Sequence, residues 1–501
     1  MSPYDKVSVY QYVCSGDDLA HQDNIVAFSS WKKQVLSKTS LRALEAFVGN
    51  ALHGTATFVK DMRGSYNLVL KFRVTGQAAK TATPEQQQQQ QHVVLRLPLH
   101  GFYPPVLVAK MLETEVAWLR YFAAHGIAKV PAIYAWSTAS DNSIGSPYLL
   151  MEFVAGEILN GCLERWSLSQ DPRDKERLHA AYEDMATMLL AMYRHRFDKI
   201  GALREPADGH WAVTQRPVTH AMRDLLLNAP GTAAADDWPR GPLSTAAEFR
   251  ALFLQLHRAY QDDLRSINIP GQWQREEDGG PTDFLWALAE ADKIDMDTAR
   301  AKAAGRIVAR RGFAHPDCLS HLSSTDTGPF CIFNRDFHPR NMIVDPDTGR
   351  IAAVFDLEGT NAMPAAFAED PPLFLRPFML FHVIVFGKLP AWQQYYATLL
   401  DTFLGIMERL EAQQLHGQKT TPPLSARMRA SWESKQWLDH FAMHELDASD
   451  YIFWSHLHDK IKTDPDAEQE QAEIDAYQQH TEKQIADYEK DRVSRKRDAK
   501  G

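Results

Sequence analysis

This 501-residue sequence has few cysteines and no paired metal-binding spacing among them. Because the four cysteines are scattered, the pattern excludes both a disulfide scaffold and a zinc ribbon, and we expect reduced, buried thiols. No run of 18 or more apolar residues occurs, so we expect no membrane-spanning helix and no membrane partner. The first residues have neither a signal-peptide core nor an Arg-rich transit pattern, which predicts a cytoplasmic location.

An excess of positive charge is also missing, since 54 Lys and Arg face 64 Asp and Glu. Neutralising nucleic-acid phosphates requires a basic face, so the net charge of −10 argues against a nucleic-acid partner. Serine nucleophile elbows and dinucleotide-binding glycine fingerprints are absent too. What is present is an ordinary globular composition, with 45% apolar and 24% charged residues, long enough for one bilobal domain with an insertion.

Residues 51–155 predict a small α+β lobe that follows an N-terminal extension at 1–50. Alternating apolar residues predict strands, and a helical period predicts one helix between them. A helix on one face of an antiparallel sheet is an α+β layer rather than a doubly wound parallel sheet. The predicted strands lie at 55–59, 66–74, 92–98, 132–136 and 147–153, and the helix lies at 105–125. Six glutamines at 86–91 are interpreted as a loop insertion without chemistry.

Helical patterns dominate from residue 156 to residue 465, with an insertion at about 205–325. A short β segment at 330–356 interrupts them. The predicted helices lie at 175–197, 245–266, 281–309, 390–413, 424–445 and 466–492. Residues 466–501 predict a highly charged C-terminal helix and tail, with apolar anchors at Ile474, Tyr477, Ile485 and Tyr488 and a basic tail at 492–500 that we expect to be solvated and frayed.

The segment from 333 to 358 carries the strongest chemical signal. A turn at 345–349 separates two short apolar runs, which predicts a hairpin pairing positions whose numbers sum to about 697. Asn341 and Asp356 then lie opposite each other, and an amide and a carboxylate oxygen side by side suit Mg²⁺. Asp336 precedes Asn341 by five residues and faces the same cavity as a proton acceptor. Phosphoryl transfer requires this combination of a base and two metal ligands.

This segment closely resembles the catalytic loop and metal-binding segment of kinase-like phosphotransferases. Its D-x-x-x-x-N element and Asp356-Leu357-Glu358 are similar to the aminoglycoside phosphotransferase and choline kinase branch, and shorter matches at 197–203, 328–330 and 451–454 resemble fungal members. The resemblance implies a bilobal protein kinase-like fold, α+β, with a small antiparallel-sheet N-lobe and a mainly helical C-lobe. It also implies that Asp336 is the catalytic base, that Asn341 and Asp356 bind Mg²⁺, and that Glu358 or His338 has a secondary role.

The same resemblance implies a nucleotide site in the N-lobe. By this resemblance, a degenerate glycine turn covers the phosphates, and an arginine contacts them where most such folds have lysine. A helix glutamate orients that arginine, and the hinge backbone meets the adenine. An ordinary hairpin turn and a solvated helix acid would give similar patterns, and both alternatives stay open. The residues assigned to this site are Gly64, Ser65, Asn67, Arg96, Glu115, Glu152 and Val154.

The sequence therefore predicts an ATP- and Mg²⁺-dependent phosphotransferase that phosphorylates a hydroxyl of a small molecule, with GTP as an alternative donor. A nucleotide-binding pseudokinase acting as an interaction protein is the first alternative, favoured by Arg96 and by Asn334, where the family commonly has histidine. A kinase acting on protein side chains is the second, opposed by the D-x-E element. Glu369 and Asp370 indicate either a cationic acceptor or solvated loop acids. His440 and His444 are interpreted as structural.

Overall fold

A computed structural model describes residues 16–76, 91–204, 210–229, 232, 234–275, 284–289, 293–322, 326–375, 380–414, 422–461 and 466–498. It confirms an α+β fold with an antiparallel-sheet lobe followed by a mainly helical lobe. Residues 86–90 of the glutamine run lie outside the described residues. No helix in the described ranges is long and apolar enough to cross a membrane.

The N-terminal lobe is a five-stranded antiparallel sheet in the order β1-β2-β3-β5-β4. The helix predicted at 105–125 has the expected ends, and two further helices precede the sheet. The elements are α1 (Asp18–Val35), α2 (Lys38–Ala51), β1 (Thr55–Arg63), β2 (Asn67–Thr75), β3 (Gln91–Pro98), α3 (Pro105–His125), β4 (Ile133–Ser137) and β5 (Tyr148–Glu152).

Both faces of this sheet are covered, which corrects the expectation of a helix on one face only. Successive side chains of a strand point to opposite faces. Leu70 and Leu95 therefore pack with Leu44 and Val48 of α2, in a core that also includes Phe28 of α1. The predicted N-terminal extension thus contributes to the core of the lobe. The opposite face packs against α3, through buried residues that include Met111, Val116 and Leu119 of the helix.

The helical lobe begins with a short strand that follows the hinge and pairs with the catalytic hairpin. Its first elements are β6 (Glu157–Ile158), α4 (Leu159–Leu168), α5 (Pro172–Arg194), β7 (Arg196–Phe197), β8 (Ala202–Arg204) and β9 (Ala212–Gln215). The insertion continues with α6 (His220–Asn228), α7 (Ala246–Asp263), β10 (Gly271–Arg275), β11 (Phe284–Leu288) and α8 (Met296–Ala314). The helix predicted at 281–309 thus begins 15 residues later, after a strand.

The catalytic hairpin and the remaining helices complete the lobe. They are β12 (Phe330–Phe333), β13 (Met342–Val344), β14 (Ile351–Val354), β15 (Asn361–Met363), α9 (Ala365–Ala368), α10 (Leu380–Val385), α11 (Leu389–Gln414), α12 (Leu424–Ser434), α13 (Gln436–His444), α14 (Leu446–Ile452) and α15 (Ala467–Asp498). The single helix predicted at 424–445 is two helices, because Lys435 has a left-handed backbone (φ 62°) between them.

The C-terminal helix α15 is packed through the apolar anchors that the sequence offers. Its Tyr477 and Tyr488 are buried, and the Tyr477 hydroxyl donates to the Gln261 carbonyl of α7 at 2.7 Å. Tyr488 donates to the Asp18 carboxylate of α1 at 3.1 Å. The helix therefore joins the insertion to the beginning of the chain. Among the described residues, Cys162, Cys318 and Cys331 are free and buried, as predicted.

Candidate functional site

Arg96 is placed at the site by strand alternation. It follows Leu95 on β3 and so points to the α3 face of the sheet, where Glu115 lies. One Arg96 Nη1–H donates to Glu115 Oε1, and its Nη2–H donates to Asp356 Oδ1 at 3.1 Å. Arg96 is 6% exposed and Glu115 is 2% exposed. The structure thus brings Arg96 and the glutamate predicted to orient it together. The alternative of a solvated acid at Glu115 is wrong.

A tight backbone turn after β14 presents the acids of the D-x-E element. Asp356 has φ +61°, a left-handed conformation that costs a non-glycine residue about 1–3 kcal/mol and is concentrated at functional sites. Gly359 also has a positive φ, and a Cβ there would lie 2.8 Å from the His220 ring. Carboxylate oxygens of Glu115, Asp356 and Glu358 consequently lie within 4.8 Å of one another.

This cluster crowds three carboxylates in a poorly hydrated space. Burial raises the pKa of Glu115, opposed by the neighbouring Arg96. Burial also raises the pKa of Glu358, and the negative charge of Asp356 acts in the same direction. Such a cluster is stable when cations neutralise it, and hard oxygen donors in this number suit a divalent metal ion.

The cluster has a second cation, which the sequence did not predict. Arg223 of α6 donates from Nη1 to Glu358 Oε1 at 2.9 Å and from Nε to Asp224 Oδ1 at 3.1 Å. Its guanidinium also lies 3.4 Å from the centre of the Tyr66 ring, in the turn between β1 and β2. Tyr103 completes the arrangement by donating to Glu358 Oε2 at 2.8 Å. Arg223 belongs to the insertion and lies in no motif, so no local sequence signal marks it.

The catalytic loop is held by side-chain amides. Asn341 donates from Nδ2 to the Asp336 carbonyl at 3.0 Å and to Asp336 Oδ2 at 2.9 Å, which keeps the Asn341 amide oxygen out of these contacts. Asn334 Oδ1 accepts from the Asp336 N–H at 2.7 Å, while its Nδ2 donates to Thr360 Oγ1 at 2.9 Å. Burial raises the pKa of Asp336, Asp356 adds to that effect, and the Asn341 hydrogen bond opposes it.

The hairpin forms as predicted, but its register differs by one residue. Met342 pairs with Val354 and Ile343 with Ala353, so the paired numbers sum to 696 rather than 697. The Phe355 N–H donates to the Asn341 carbonyl at 3.0 Å, which places Phe355 opposite Asn341. Asp356 lies one residue beyond, on the left-handed turn, and reaches the site through that turn rather than through cross-strand pairing.

The glycine turn and the hinge are less closely tied to the cluster. The Gly64 N–H donates to the Asn67 carbonyl at 2.8 Å and closes the turn, while Gly64 and Ser65 are exposed. At the hinge, the Glu152 N–H is occupied within the sheet by the Ala132 carbonyl at 2.8 Å. Val154 follows the last strand residue by two positions, before β6 pairs with the catalytic hairpin.

A cavity of about 280 Å³ opens on the other side of Asp336, within the helical lobe. His338 lies in its wall, where burial lowers the pKa of the imidazole to about 4. Asp370 also lies in the wall, and its two oxygens accept from Ser431 at 2.7 Å and contact His440 Nδ1 at 2.8 Å. Glu369 accepts from the Tyr193 hydroxyl at 2.7 Å and from Arg427 at 2.9 Å. These two acids are therefore held by the protein itself.

The family model described as the phosphotransferase enzyme family matches residues 71–370, more than half of the chain, and confirms the resemblance of the catalytic segment. A Candida albicans protein named altered inheritance of mitochondria protein 9, mitochondrial, is 30% identical over 212 residues, which cover 42% of this chain and 30% of that protein. A subtelomeric hrmA-associated cluster protein of Aspergillus fumigatus is 33% identical over 99 residues, or 20% of this chain and 18% of that protein.

The matched region spans less than a third of these relatives. The expectation of a cytoplasmic location is wrong, because several of the relatives are named as mitochondrial proteins. A crystal structure from Ralstonia eutropha, provisionally assigned as an aminoglycoside phosphotransferase, is 14% identical, covers 90% of this chain and 98% of its own, and has a TM-score of 0.36.

Proposed function

Since this chain belongs to the phosphotransferase enzyme family, we propose that it transfers the γ-phosphoryl group of ATP, or of GTP, to a hydroxyl of a small molecule with the help of Mg²⁺. One observation carries the proposal. Asp336, held by Asn341, precedes the catalytic hairpin, and the turn after that hairpin carries Asp356 and Glu358 into a cluster of three carboxylates and two guanidiniums.

The chemistry of the donor set fits a magnesium ion. Asn341 uses its amide nitrogen for Asp336, which reserves the oxygen, and Asp356 provides a carboxylate from the adjoining turn. Three carboxylates against two guanidiniums also favour a further cation. We therefore assign Asn341 and Asp356 as metal ligands, with Glu358 nearby. A bound Mg²⁺ would neutralise the charge of the β- and γ-phosphates.

Asp336 acts as the base in this proposal. Its Oδ2 is fixed by Asn341, so Oδ1 is the oxygen that accepts the proton of the acceptor hydroxyl. The amide of Asn334 fixes the backbone of the same residue from the other side. Phosphoryl transfer leaves a protein little covalent chemistry to perform, so this positioning supplies most of the catalysis.

The remaining assignments concern the nucleotide. Arg96 steadies phosphate and Glu115 orients Arg96, while the turn at Gly64, Ser65 and Asn67 covers the phosphates. Glu152 and Val154 provide the hinge backbone next to the adenine. Arg223 is a positioning residue in this proposal. Its guanidinium contacts both the Tyr66 ring of the turn and the Glu358 carboxylate, and so holds the turn next to Glu358.

A nucleotide-binding pseudokinase is the second candidate, and one contact favours it. Arg96 Nη2 donates to Asp356, the proposed metal ligand, at 3.1 Å. Metal binding must compete with this ion pair, so a protein that binds nucleotide without turnover would show the same contact. Measured turnover separates the two candidates.

We also propose a mitochondrial location, because relatives from several Candida species carry that word in their names. Fractionation of cells that express the natural, full-length protein with a C-terminal tag tests this. Recovery of the tag in a fraction other than mitochondria would contradict it.

The nucleotide site is tested by thermal unfolding with and without Mg²⁺·ATP. Ligand at 100 times its Kd stabilises a protein by about 2.7 kcal/mol, which is easily measured as a rise in Tm. We expect this Mg²⁺-dependent rise to be lost in Asp356→Asn, because asparagine tolerates the left-handed backbone and removes only the charge. Asp347→Asn on the exposed hairpin turn is the matched control and should keep the full rise. Absence of a rise with ATP and with GTP in the unchanged protein would overturn the proposal.

A further inference from the structure

We infer that the acceptor is a neutral alcohol with an apolar, ring-sized body, and that the cavity beside Asp336 is built to reject amine-bearing acceptors. This inference rests on the proposed function, because it assigns the cavity to the substrate of the same site. Its grounds are the position of the cavity, the composition of its wall and the way the charges in that wall are already paired.

The position of the cavity is that of an acceptor site. Asn334, Asp336 and His338 of the catalytic loop all line it, whereas Arg96, Glu115 and Asp356 do not. The phosphate-binding cluster and the cavity therefore lie on different sides of the loop that carries the base. Its volume of about 280 Å³ equals that of about nine water molecules at roughly 30 Å³ each, enough for one substituted ring.

The wall of the cavity is mainly aromatic and aliphatic. Its apolar residues come from α5, the end of β12, the catalytic loop, α9 and the segment after it, and the helices α10, α12 and α13. They are Leu189, Met192, Phe333, Phe337, Phe367, Leu373, Phe374, Leu380, Met428, Trp437 and Phe441. Such a wall stabilises a bound molecule by removing its apolar surface from water.

Three carboxylates line the cavity, and two of them are already paired, while the third, Asp336, is the proposed base. Asp370 is committed to Ser431 and His440, and Glu445 forms an ion pair with Arg335. Burial raises the pKa of Glu445 to about 7, with Arg335 opposing that shift.

The charged groups of the wall leave no unpaired carboxylate for a positively charged acceptor apart from the proposed base. Arg335 is paired with Glu445, and Arg340 adds a further positive charge to the wall. Aromatic cages that bind quaternary ammonium groups need open ring faces. Here Phe333 is stacked on His444, with centroids 4.7 Å apart, and Phe367 lies against His440 at 4.5 Å. The cavity therefore suits an uncharged body.

The transfer balances with the groups named. The acceptor oxygen bonds to the γ-phosphorus while the bond from that phosphorus to the β–γ bridging oxygen breaks. ADP leaves with the bond's electron pair, and the hydroxyl proton goes to Asp336. The products are a phosphate monoester of the alcohol, ADP and one proton held by the protein until it is released to solvent.

Three alcohols of matched shape test the inference: para-tert-butylbenzyl alcohol, para-trimethylammoniobenzyl alcohol and para-carboxybenzyl alcohol. The first two are isosteric and differ in charge. Binding to the full chain is measured by calorimetry with Mg²⁺ and a non-hydrolysable ATP analogue, and formation of ADP and of the phosphate ester is measured with ATP. We expect the tert-butyl compound to bind about tenfold or more tightly than either charged one, a ratio that corresponds to about 1.4 kcal/mol.

If the inference is correct, a substitution in the cavity wall reverses the order of affinity of the neutral and the positively charged compound. Phe374 is half-buried at the cavity wall, and Phe374→Glu should weaken the tert-butyl compound and strengthen the trimethylammonium compound, each by about tenfold. Phe374→Leu keeps the wall apolar and should keep the original order. Val106→Glu, at a residue that is 65% exposed in another part of the chain, controls for the added charge.

The outcomes separate this inference from the proposed function. Preference for the neutral compound with formation of its phosphate ester supports both. Equal binding, or preference for a charged compound, overturns the inference even if phosphate ester is formed. Selective binding without any ester or ADP overturns the proposed function and, with it, the acceptor role of the cavity.

Discussion

The two sides of the catalytic loop differ in polarity, one being a cluster of charged groups and the other a mainly apolar cavity. On the phosphate side, Arg96 and Arg223 alternate with three carboxylates, and each guanidinium contacts at least one of them. On the acceptor side, the cavity is enclosed by aromatic rings, and Asp370 is withdrawn into hydrogen bonds. One loop thus separates a charged environment, which we propose binds phosphate, from a mainly apolar one, which we propose binds the acceptor. The comparison teaches that Asp336, the proposed base, lies at the boundary between them.

The largest expected effect comes from the residue at that boundary. Asp336→Asn removes the proton acceptor and should lower phosphoryl transfer by about 10²- to 10⁴-fold, the usual contribution of general base catalysis. The rate of ADP formation with an accepted alcohol measures it. Because Asp336 is not assigned to the metal, the Mg²⁺·ATP-dependent rise in Tm should persist. A loss of that rise would show that Asp336 belongs to the phosphate side instead.

The second prediction breaks the charge balance on the phosphate side. Arg223→Met leaves Glu358 buried without this cation, and removing one partner of a buried ion pair costs about 3–5 kcal/mol. Arg165→Met is the matched control, since Arg165 and Glu157 are 58% and 49% exposed and their pair should contribute less than about 1 kcal/mol. Urea unfolding measures both.

A double variant sharpens the same prediction. Arg223→Met with Glu358→Gln removes both charges, so most of the lost free energy of unfolding should return. If the double variant is as unstable as Arg223→Met alone, packing of Arg223 against Tyr66, rather than its charge, is what stabilises the turn.

The smallest expected effect concerns the acceptor side. Asp370→Asn weakens one of two hydrogen bonds and should lower the free energy of unfolding by about 1–2 kcal/mol. Because Asp370 is structural in this account, the KM for a neutral alcohol should change by less than about threefold, a ratio worth under ~1 kcal/mol. A large rise in KM with unchanged stability would make Asp370 a substrate-binding residue.

Local patterns predicted the parts of the molecule that depend on local chain geometry. The strands of the N-lobe follow from alternation, and the helix at Pro105–His125 follows from its period. The catalytic hairpin follows from its turn signal, but its predicted register was inexact, since the paired numbers sum to 695 next to the turn and, after an irregularity between Ile343 and Val344, to 696 at the open end. No local propensity marks such an irregularity, so the prediction that Asn341 and Asp356 lie directly opposite each other was wrong, although both residues lie at that end of the hairpin.

The parts that were missed depend on distant contacts. Arg223 meets Glu358 across 135 positions of sequence, and Tyr488 meets Asp18 across 470. The charged helix α15 has few apolar residues, and it is the burial of those few against the insertion that makes it structural. Local periodicity and composition do not identify such pairs, because these contacts depend on which distant surfaces pack together in the folded chain.

The first helix has a consequence for how the lobes move. Over 18 residues, about 27 Å, α1 runs from the insertion, where Arg265 holds Asp17 at 2.7 Å, to the sheet core at Phe28. Arg495 of α15 fastens it again at Asp23, at 2.7 Å. The two lobes are therefore connected at this edge as well as by the chain after β5. An opening that separates α1 from its partners would have to break these ion pairs, so we expect α1 to restrict the relative movement of the lobes.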